Sequence, residues 1–372
     1  MKKIIHFHPN SIYSEYFVKP LIKFEGKMGN KVTLVNSIKT KNIDSKSESF
    51  FRKYIRYDLT IKNLLLIPSS FFQILLLLLK TKPIYIISHN IRSSIMPLLA
   101  GRMYGKTKLI YFNHGVSYLG YKGLLRYLLL IIEYINCSLA NHIIAVSKHA
   151  KHELLKLTNT PISVISNGSA CGIDLKLFSK KNIKISDEMK VIKNKNCFLV
   201  TFIGRPEKRK GFIFIIELWE KYFINEENMK LILCGTDVDI NKYTRVPTKN
   251  IVNMGNTKNI PEILSISNCL LLPSLHEGLP YSIIEAMAME CPIIANNIPS
   301  ISSQIENDKN GYLIDGHDHN AYFKKINFIK NIANIKAIKK LTNNALNEVQ
   351  KFDRKKFLTD YNKKIKDILK SD

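Results

Sequence analysis

The 372-residue chain is 45% hydrophobic, enough for the cores of two domains of ordinary size, which argues against an intrinsically disordered protein. Its formal net charge is +26, and residues 1–178 hold 25 Lys and Arg against 8 Asp and Glu, a balance that attracts acidic lipid, an anionic acceptor or nucleic acid. Six scattered cysteines without Cys-x-x-Cys spacing argue against a zinc site or a disulfide framework and suit a reducing cytoplasm.

Short apolar runs alternate with helical patterns in the first half of the chain. The run at the N-terminus is short and is broken by His6, so it predicts a first strand rather than a signal peptide. The predicted strands are Lys3–Phe7, Val32–Val35, Ile84–Ile87, Leu109–Phe112, His142–Val146 and Ile162–Ile165. Helical patterns are clearest at Leu124–Leu139 and Lys148–Leu157.

The segment Leu64–Leu79 is the best candidate for a membrane span. It is shorter than the ~20 residues that cross a bilayer, and Pro68 and Gln73 interrupt it. A buried helix and an interfacial helix both remain open, and we favour the buried helix.

The second half of the chain repeats the alternation of strands and helices. Its predicted strands are Phe198–Ile203, Lys230–Cys234, Ile251–Met254, Cys269–Leu272, Pro292–Ala295 and Tyr312–Ile314. Its predicted helices are Phe212–Tyr222, Ile260–Ile266 and Ser282–Met289, with a helical, charged tail at Asn334–Leu369.

This alternation predicts an α/β protein with parallel sheets and helices on both faces. A polar stretch at 179–190 marks a boundary. We therefore expect two doubly wound domains, 1–180 and 181–350, with 351–372 forming a helix that packs back on the first domain. A ligand would lie in the cleft between the domains, at the carboxyl ends of the strands.

A basic loop bounded by glycines follows the strand Phe198–Ile203. Gly204 permits a sharp exit from the strand, Arg205 can grip phosphate oxygens with its planar fork, and Lys210 can supply a point charge. Gly211 then admits the next helix. By itself the pattern also fits a solvated basic loop. Its position at the carboxyl end of a strand favours a binding site.

Two glutamates, eight residues apart, follow the strand Cys269–Leu272. Glu277 falls in the loop and Glu285 about one turn into the next helix, where Pro280 suits the first helical position. Amide groups of Tyr281 and Ser282 at this helix start would bind phosphate. Glu285 lies ~6 Å beyond them at ~1.5 Å per residue, roughly the offset from a diphosphate to its ribose. Two ordinary surface glutamates remain the alternative.

Taken together, these segments resemble the retaining glycosyltransferases of family 4, whose GT-B fold consists of two facing Rossmann-like domains with a cleft between them. The resemblance runs from residue 80 to residue 365 and is specific as a set. The matching segments are Asn113-His-Gly115, Ile143–Ser147, Val164–Gly168, Gly204-Arg205, Lys210-Gly211, Leu231–Gly235, His276–Pro280, Glu285–Ala288 and Asn310–Leu313.

The resemblance implies roles for individual residues. Arg205 and Lys210 would neutralise the diphosphate of a nucleotide-sugar, and Glu285 would bind the ribose hydroxyls. Glu277 would contact the donor sugar near its reacting carbon, and His114 would contact it from the other domain. Arg205, Lys210, Glu277 and His114 would thus form the catalytic set. The donor site would also include Gly204, Gly278, Leu279, Tyr281 and Ser282. No metal or cofactor is expected.

The chain departs from the family after its first strand. Family members often carry a glycine-rich loop there, whereas this chain has His8–Ser14, without glycine. Pro299-Ser300 and Ser303 likewise replace the family's Gly-Gly and Glu.

The expected function is retaining, metal-independent transfer of a hexosyl or N-acetylhexosaminyl group from a nucleotide-sugar to a lipid-linked or growing glycan. The product would be a bacterial cell-surface polysaccharide, such as O-antigen, capsule or exopolysaccharide. The cysteine usage suits a cytoplasmic protein. The resemblance, in which the first domain holds the membrane face, and the basic charge of that domain together imply peripheral contact with the anionic membrane surface.

Two alternatives stay open at this point. A GT-B sugar-nucleotide epimerase would bind the same donor and convert it, in free form, to an isomer. A non-enzymatic basic protein would bind membrane or nucleic acid in a salt-sensitive way. The basic residues are not interleaved with aromatic ones and no nucleic-acid motif is present, so a nucleic-acid partner is not expected.

Overall fold

The computed structural model describes residues 1–37, 50–59, 66–194, 196–247 and 249–370. The chain divides into two compact units, the first made of Met1–Gly172 with Arg354–Asp372 and the second of Ile173–Asp353. Each unit is built on one parallel sheet, with helices between most of the successive strands. The α/β class that the alternation predicts is therefore confirmed.

Seven parallel strands are described in the sheet of the first unit. They are β1 (Lys3–Phe7), β2 (Lys31–Asn36), β3 (Phe51–Tyr54), β4 (Tyr85–His89), β5 (Lys108–Asn113), β6 (His142–Ala145) and β7 (Ile162–Val164). Their order in the sheet is β3-β2-β1-β4-β5-β6-β7. The connecting helices are α1 (Ser11–Phe17), α2 (Lys19–Lys27), α3 (Ile67–Thr81), α4 (Ile91–Tyr104), α5 (Gly123–Leu139) and α6 (Lys148–Leu155).

The second unit has six described strands in the order β10-β9-β8-β11-β12-β13. They are β8 (Phe198–Ile203), β9 (Met229–Cys234), β10 (Ile251–Asn253), β11 (Cys269–Leu272), β12 (Ile293–Asn296) and β13 (Tyr312–Ile314). The helices of this unit are α7 (Asp187–Ile192), α8 (Phe212–Tyr222), α9 (Ile260–Ile266), α10 (Tyr281–Ala288), α11 (Pro299–Ser302), α12 (His319–Lys330) and α13 (Ile335–Val349).

The central strands are readable in the sequence because both faces of each sheet are covered. β11, for example, is buried at all four positions, so it reads as a continuous apolar run. β3 was missed for the opposite reason. Among the described strands it pairs with β2 alone, at the edge of the sheet, and Arg52 and Lys53 interrupt its apolar residues.

The helical tail is two helices. A short 3-10 turn at Gln350–Phe352 ends α13, and the last helix, α14 (Arg354–Lys370), belongs to the first unit. There the Tyr361 hydroxyl donates to Glu25 Oε1 at 2.6 Å, and Ser166 Oγ donates to Asp360 at 2.5 Å.

The favoured interpretation of Leu64–Leu79 as a buried helix is wrong for one face of the helix, which is exposed. Residues 64 and 65 lie outside the described residues. α3 buries Ile74, Leu77 and Leu78 but leaves Leu76 64% exposed, with Phe72 and Leu79 also at the surface. In the described part of the chain, no helix combines the length and the apolar character needed to cross a membrane.

Candidate functional site

Two loops of the second unit meet at the carboxyl ends of neighbouring strands. One follows β8 and the other follows β11, and these strands pair in parallel. Gly211, at the end of the first loop, has a φ of +75°, and a Cβ there would lie 2.4 Å from the carbonyl oxygen of Pro273 in the second. Glycine is therefore required for the two loops to touch.

Lys210 and Glu277 form an ion pair across these loops. Lys210 Nζ lies 2.7 Å from Glu277 Oε1 and 2.8 Å from Oε2, and Ser274 Oγ donates to Oε1 at 2.7 Å. The Glu277 side chain is only 6% exposed, so the charge depends on these donors. Since an ammonium carries three N–H groups and the described residues accept two of them, Lys210 keeps one for a ligand.

Three further side chains fix the backbone of the Glu277 loop. His317 Nε2–H donates to the carbonyl oxygen of Pro273 at 2.7 Å, Asn296 Nδ2 to that of Ser274 at 3.2 Å, and Arg209 to that of His276 at 3.2 Å. Sequence reasoning did not single out these three donors. The available signal was position, because Asn296 ends β12 and His317 follows β13, at the same edge of the sheet.

Arg205 lies in the same loop as Lys210 but outside the ion pair. Its side chain is half exposed and its guanidinium pairs with Glu207 at 2.8 Å. Gly204 ends the strand, where its N–H donates to the carbonyl oxygen of Cys234 at 2.9 Å. The structure therefore brings Lys210 and Glu277 together and leaves Arg205 at the surface beside them.

Helix α10 starts directly after the Glu277 loop. It begins at Tyr281, one residue earlier than the sequence indicates, with Pro280 as N-cap rather than as the first helical residue. Gly278 and Leu279 lie in the loop that leads to it, and Ser282 is buried. The helix start thus stands at the same edge of the sheet as the ion pair.

Glu285 lies one turn into α10 and is partly exposed. Its carboxyl group accepts no hydrogen bond from any residue that the structure describes. Burial raises its pKa to about 7, because the ionised form loses hydration. Once ionised, this carboxylate can accept hydrogen bonds from the hydroxyl groups of a ligand.

His114 belongs to the first unit and directly follows β5. Its ring stacks on Phe112 with centroids 5.1 Å apart, and it is partly exposed. Asn113 shapes the turn, since its Oδ1 accepts from Gly115 N at 2.8 Å and its Nδ2 donates to buried Glu133 at 2.9 Å. Burial lowers the pKa of His114 to about 3, so the imidazole is neutral near pH 7.

Comparison with known proteins gives matches to both halves of the chain. Residues 15–170 match the family model "Glycosyltransferase Family 4", and residues 184–348 match "Glycosyl transferases group 1".

Two curated relatives resemble most of the chain. The capsular polysaccharide biosynthesis glycosyltransferase CapM of Staphylococcus aureus is 26% identical over 268 residues, 69% of this chain and 70% of that protein. An Escherichia coli UDP-Gal:alpha-D-GlcNAc-diphosphoundecaprenol alpha-1,3-galactosyltransferase is 26% identical over 288 residues, 73% of this chain and 72% of that protein.

A solved structure shares the fold over nearly the whole chain. HepE of Anabaena, in complex with UDP and glucose, superposes with a TM-score of 0.81 at 15% identity, covering 99% of this chain and 100% of its own.

The Lys210–Glu277 pair can be tested by a double-variant cycle. We expect Lys210→Met to lower the free energy of unfolding of the second unit by about 2 kcal/mol, because Glu277 is left buried without its counter-charge. Adding Glu277→Gln should recover part of the loss, because the unpaired charge is then gone. Calorimetric unfolding near pH 7 measures both values.

Lys208→Met is the matched control, since Lys208 lies in the same loop and is exposed. It should change the free energy of unfolding by no more than about 0.5 kcal/mol. If the double variant lost the sum of what Lys210→Met and Glu277→Gln each lose alone, the coupling of the two side chains would be contradicted.

Proposed function

Because this chain is a GT-B glycosyltransferase that belongs to the glycosyl transferases group 1, with a family 4 first unit, we propose that it transfers a sugar from a nucleotide-sugar to a lipid-linked or growing glycan. The product would be a bacterial cell-surface polysaccharide. The observation that carries the donor assignment is the Lys210–Glu277 pair beside a helix start, together with the Glu285 carboxyl, which has no hydrogen-bond partner among the described residues. The relatives named above support the acceptor class.

The proposed chemistry separates charge along this edge of the sheet. When the bond from the sugar to the diphosphate breaks, the anomeric carbon gains positive charge and the diphosphate leaves with negative charge. The remaining N–H of Lys210 and the start of α10 stabilise the leaving diphosphate. Arg205 can join them, because an exposed ion pair such as that with Glu207 holds it by only about 0–1 kcal/mol.

The two glutamates take different parts in this proposal. Glu277 already accepts three hydrogen bonds, which suits a fixed negative charge near the anomeric carbon better than a base that must gain a proton. Glu285, whose carboxyl has no partner in the described part of the chain, accepts the ribose hydroxyls. We propose that His114, together with Gly204, Gly278, Leu279, Tyr281 and Ser282, completes the contacts to the donor.

We also propose that transfer retains the anomeric configuration and needs no metal. Retention means that the acceptor attacks on the face from which the diphosphate leaves. Cationic side chains and a helix dipole can supply the charge stabilisation that a metal ion supplies elsewhere.

The proposal predicts release of one nucleoside diphosphate from a panel of nucleotide-sugars, with equal rates with and without EDTA. Lys210→Met should slow the release ~10²–10³-fold, because a preorganised donor to the leaving group is lost. The exposed Glu227→Gln is the control and should match the wild type. Proton NMR recorded as the sugar is first released should show the same anomeric configuration that the sugar has in the donor.

Other outcomes of this assay would contradict parts of the proposal. Loss of activity in EDTA would contradict metal independence, and the opposite anomer would contradict retention. Conversion of the free nucleotide-sugar to an isomer would indicate an epimerase. Absence of binding and release with every donor would contradict the assignment of the two glutamates.

The raised pKa of Glu285 predicts that nucleotide binding depends on pH. A ribose hydroxyl donates to the ionised carboxylate, so affinity for a nucleoside diphosphate should rise as the pH passes upward through about 7. Titration calorimetry that compares the wild type with Glu285→Gln isolates the pH dependence due to Glu285, because the phosphate groups of the nucleotide titrate in the same way with both proteins. Equal pH profiles in the two proteins would contradict the role of Glu285.

An apolar surface on the first unit supports peripheral membrane contact. The usual burial pattern is reversed in helix α5, which buries the polar side chains of Glu133 and Asn136. It exposes apolar side chains at helical spacing, namely Leu124, Leu128 and Ile131. Exposed apolar side chains of this size in one stripe mark an interaction surface.

Helices α3 and α4 extend this surface, since α4 packs against both α3 and α5. Their exposed apolar residues include Phe72, Leu76, Leu79, Leu99 and Met103. Within these three fully described helices the one carboxylate is Glu133, which is buried, while Lys80, Arg102 and Arg126 are at the surface. An apolar face with a basic rim fits an anionic bilayer, and we propose that α3, α4 and α5 dock there.

This proposal predicts that the protein co-sediments with vesicles containing phosphatidylglycerol more than with neutral vesicles. The double variant Leu128→Glu/Ile131→Glu should lose this binding, because it places charge in the acyl boundary. The control is Val191→Glu/Ile332→Glu, which alters two exposed apolar residues of the second unit. A dimer that the first variant abolishes, without vesicle binding in the wild type, would assign the face to self-association instead.

A further inference from the structure

A chain of hydrogen bonds links the buried Glu25 to His114 through two other histidines. Glu25 Oε2 lies 2.8 Å from His6 Nε2, His6 Nδ1 lies 3.1 Å from His89 Nε2, and His89 Nδ1 lies 2.9 Å from His114 Nε2. His6 and His89 are fully buried, and Glu25 is 4% exposed. The chain therefore begins in the core and ends at the partly exposed ring of His114.

The sheet topology explains why these residues meet. β1, β4 and β5 are neighbours, with His6 in β1, His89 at the end of β4 and His114 directly after β5. Because parallel strands end at the same edge, the three rings lie side by side there. Glu25 reaches them from α2. In the sequence His6 and His89 lack ligand spacing, so they read as structural residues, and nothing there connects them to His114.

Glu25 fixes the direction of the first hydrogen bond. Its Oε1 accepts from the Tyr85 hydroxyl at 2.9 Å and from the Tyr361 hydroxyl at 2.6 Å. Its Oε2 faces His6 Nε2. An ionised carboxylate can only accept, so His6 Nε2 carries the proton of that ring.

With one proton on each ring, the direction of every later bond is determined. His6 Nδ1, without a proton, must accept, so His89 Nε2 donates, and by the same logic His114 Nε2 donates to His89 Nδ1. The neutral state of the last two rings agrees with burial, which holds the pKa of His89 well below its usual value and lowers that of His114 to about 3.

The free nitrogen of His114 is the other end of this chain. Its Nδ1 accepts no hydrogen bond from any described residue and is not among the buried polar atoms that lack a partner. His8 stands apart from the chain, since its Nδ1 donates to the carbonyl oxygen of Asn10 at 2.8 Å and its Nε2 accepts from Asn90 at 3.3 Å.

We infer that Glu25, acting through His6 and His89, is a positioning residue that holds His114 in the Nε2–H tautomer and so presents Nδ1 as a hydrogen-bond acceptor to a hydroxyl group of the bound sugar. The sugar contact rests on the proposed function, whereas the tautomer does not. A ring in the other tautomer would present an N–H at the same place and would compete with the proton of the sugar hydroxyl.

Glu25→Gln is the variant that should reverse the chain. The two tyrosine hydroxyls require an acceptor, so the amide oxygen faces them and the amide NH₂ faces His6 Nε2. His6, His89 and His114 then each carry their proton on Nδ1. Glu25→Asp keeps an acceptor-only group and should keep the wild-type direction.

Nitrogen-15 NMR of histidine-labelled protein reads the tautomers directly, with His114→Asn used to assign the signals of His114. We expect Nε2–H in the wild type and in Glu25→Asp, and Nδ1–H in Glu25→Gln. Turnover of the nucleotide-sugar should fall about tenfold in Glu25→Gln, the value of one hydrogen bond. Affinity for the nucleoside diphosphate, which has no sugar, should stay unchanged, and thermal unfolding checks that the variant folds.

Three results would overturn the inference. The first is Nδ1–H at His114 in the wild type, which a second proton on His6 would produce. The second is a tautomer unchanged in Glu25→Gln, and the third is a reversed tautomer with unchanged turnover. If the wild type turned over no nucleotide-sugar, the proposed function would fail, while the NMR spectra would still decide what Glu25 does.

Discussion

The candidate site of the second unit depends on the close approach of two loops. Gly211 lies so near the carbonyl group of Pro273 that a methyl group between them would break the contact. This approach brings Lys210 onto Glu277, and the resulting ion pair satisfies a carboxylate that the fold has buried. Backbone geometry thus comes first, and the charges that can bind a diphosphate follow from it.

Much of this arrangement could be predicted from the sequence. Parallel strands covered on both faces leave continuous apolar runs, and the residues just after them share one edge of a sheet. Lys210, Glu277 and Glu285 could therefore be placed near each other from the sequence. The edge strand β3 could not, because its exposed side chains carry no apolar pattern. Asn296 and His317 lie at this same edge, but their role as donors cannot be read from the sequence, because their partners are backbone carbonyl groups.

The hydrogen-bonded histidine chain and the apolar stripe of α5, both in the first unit, cannot be recognised in the sequence for another reason. Direction in a hydrogen-bonded chain depends on the group at its end, and Glu25 is separated from His114 by 89 positions in sequence. The apolar stripe of α5 is hard to recognise in the sequence for a different reason. Its sequence is apolar on most sides, so only the burial of Glu133 and Asn136 shows that the helix faces its polar side inward. Both features therefore need the packed structure to be recognised.

The chain passes between the two units twice, after Gly172 and again after Asp353. This has a consequence for engineering, since the donor-binding module of a related enzyme cannot be grafted with a single junction. A chimera cut once near residue 173 would also exchange α14, and with it Tyr361, which contacts Glu25. Transplanting the second unit alone requires two junctions, so that residues 354–370 stay with the native first unit.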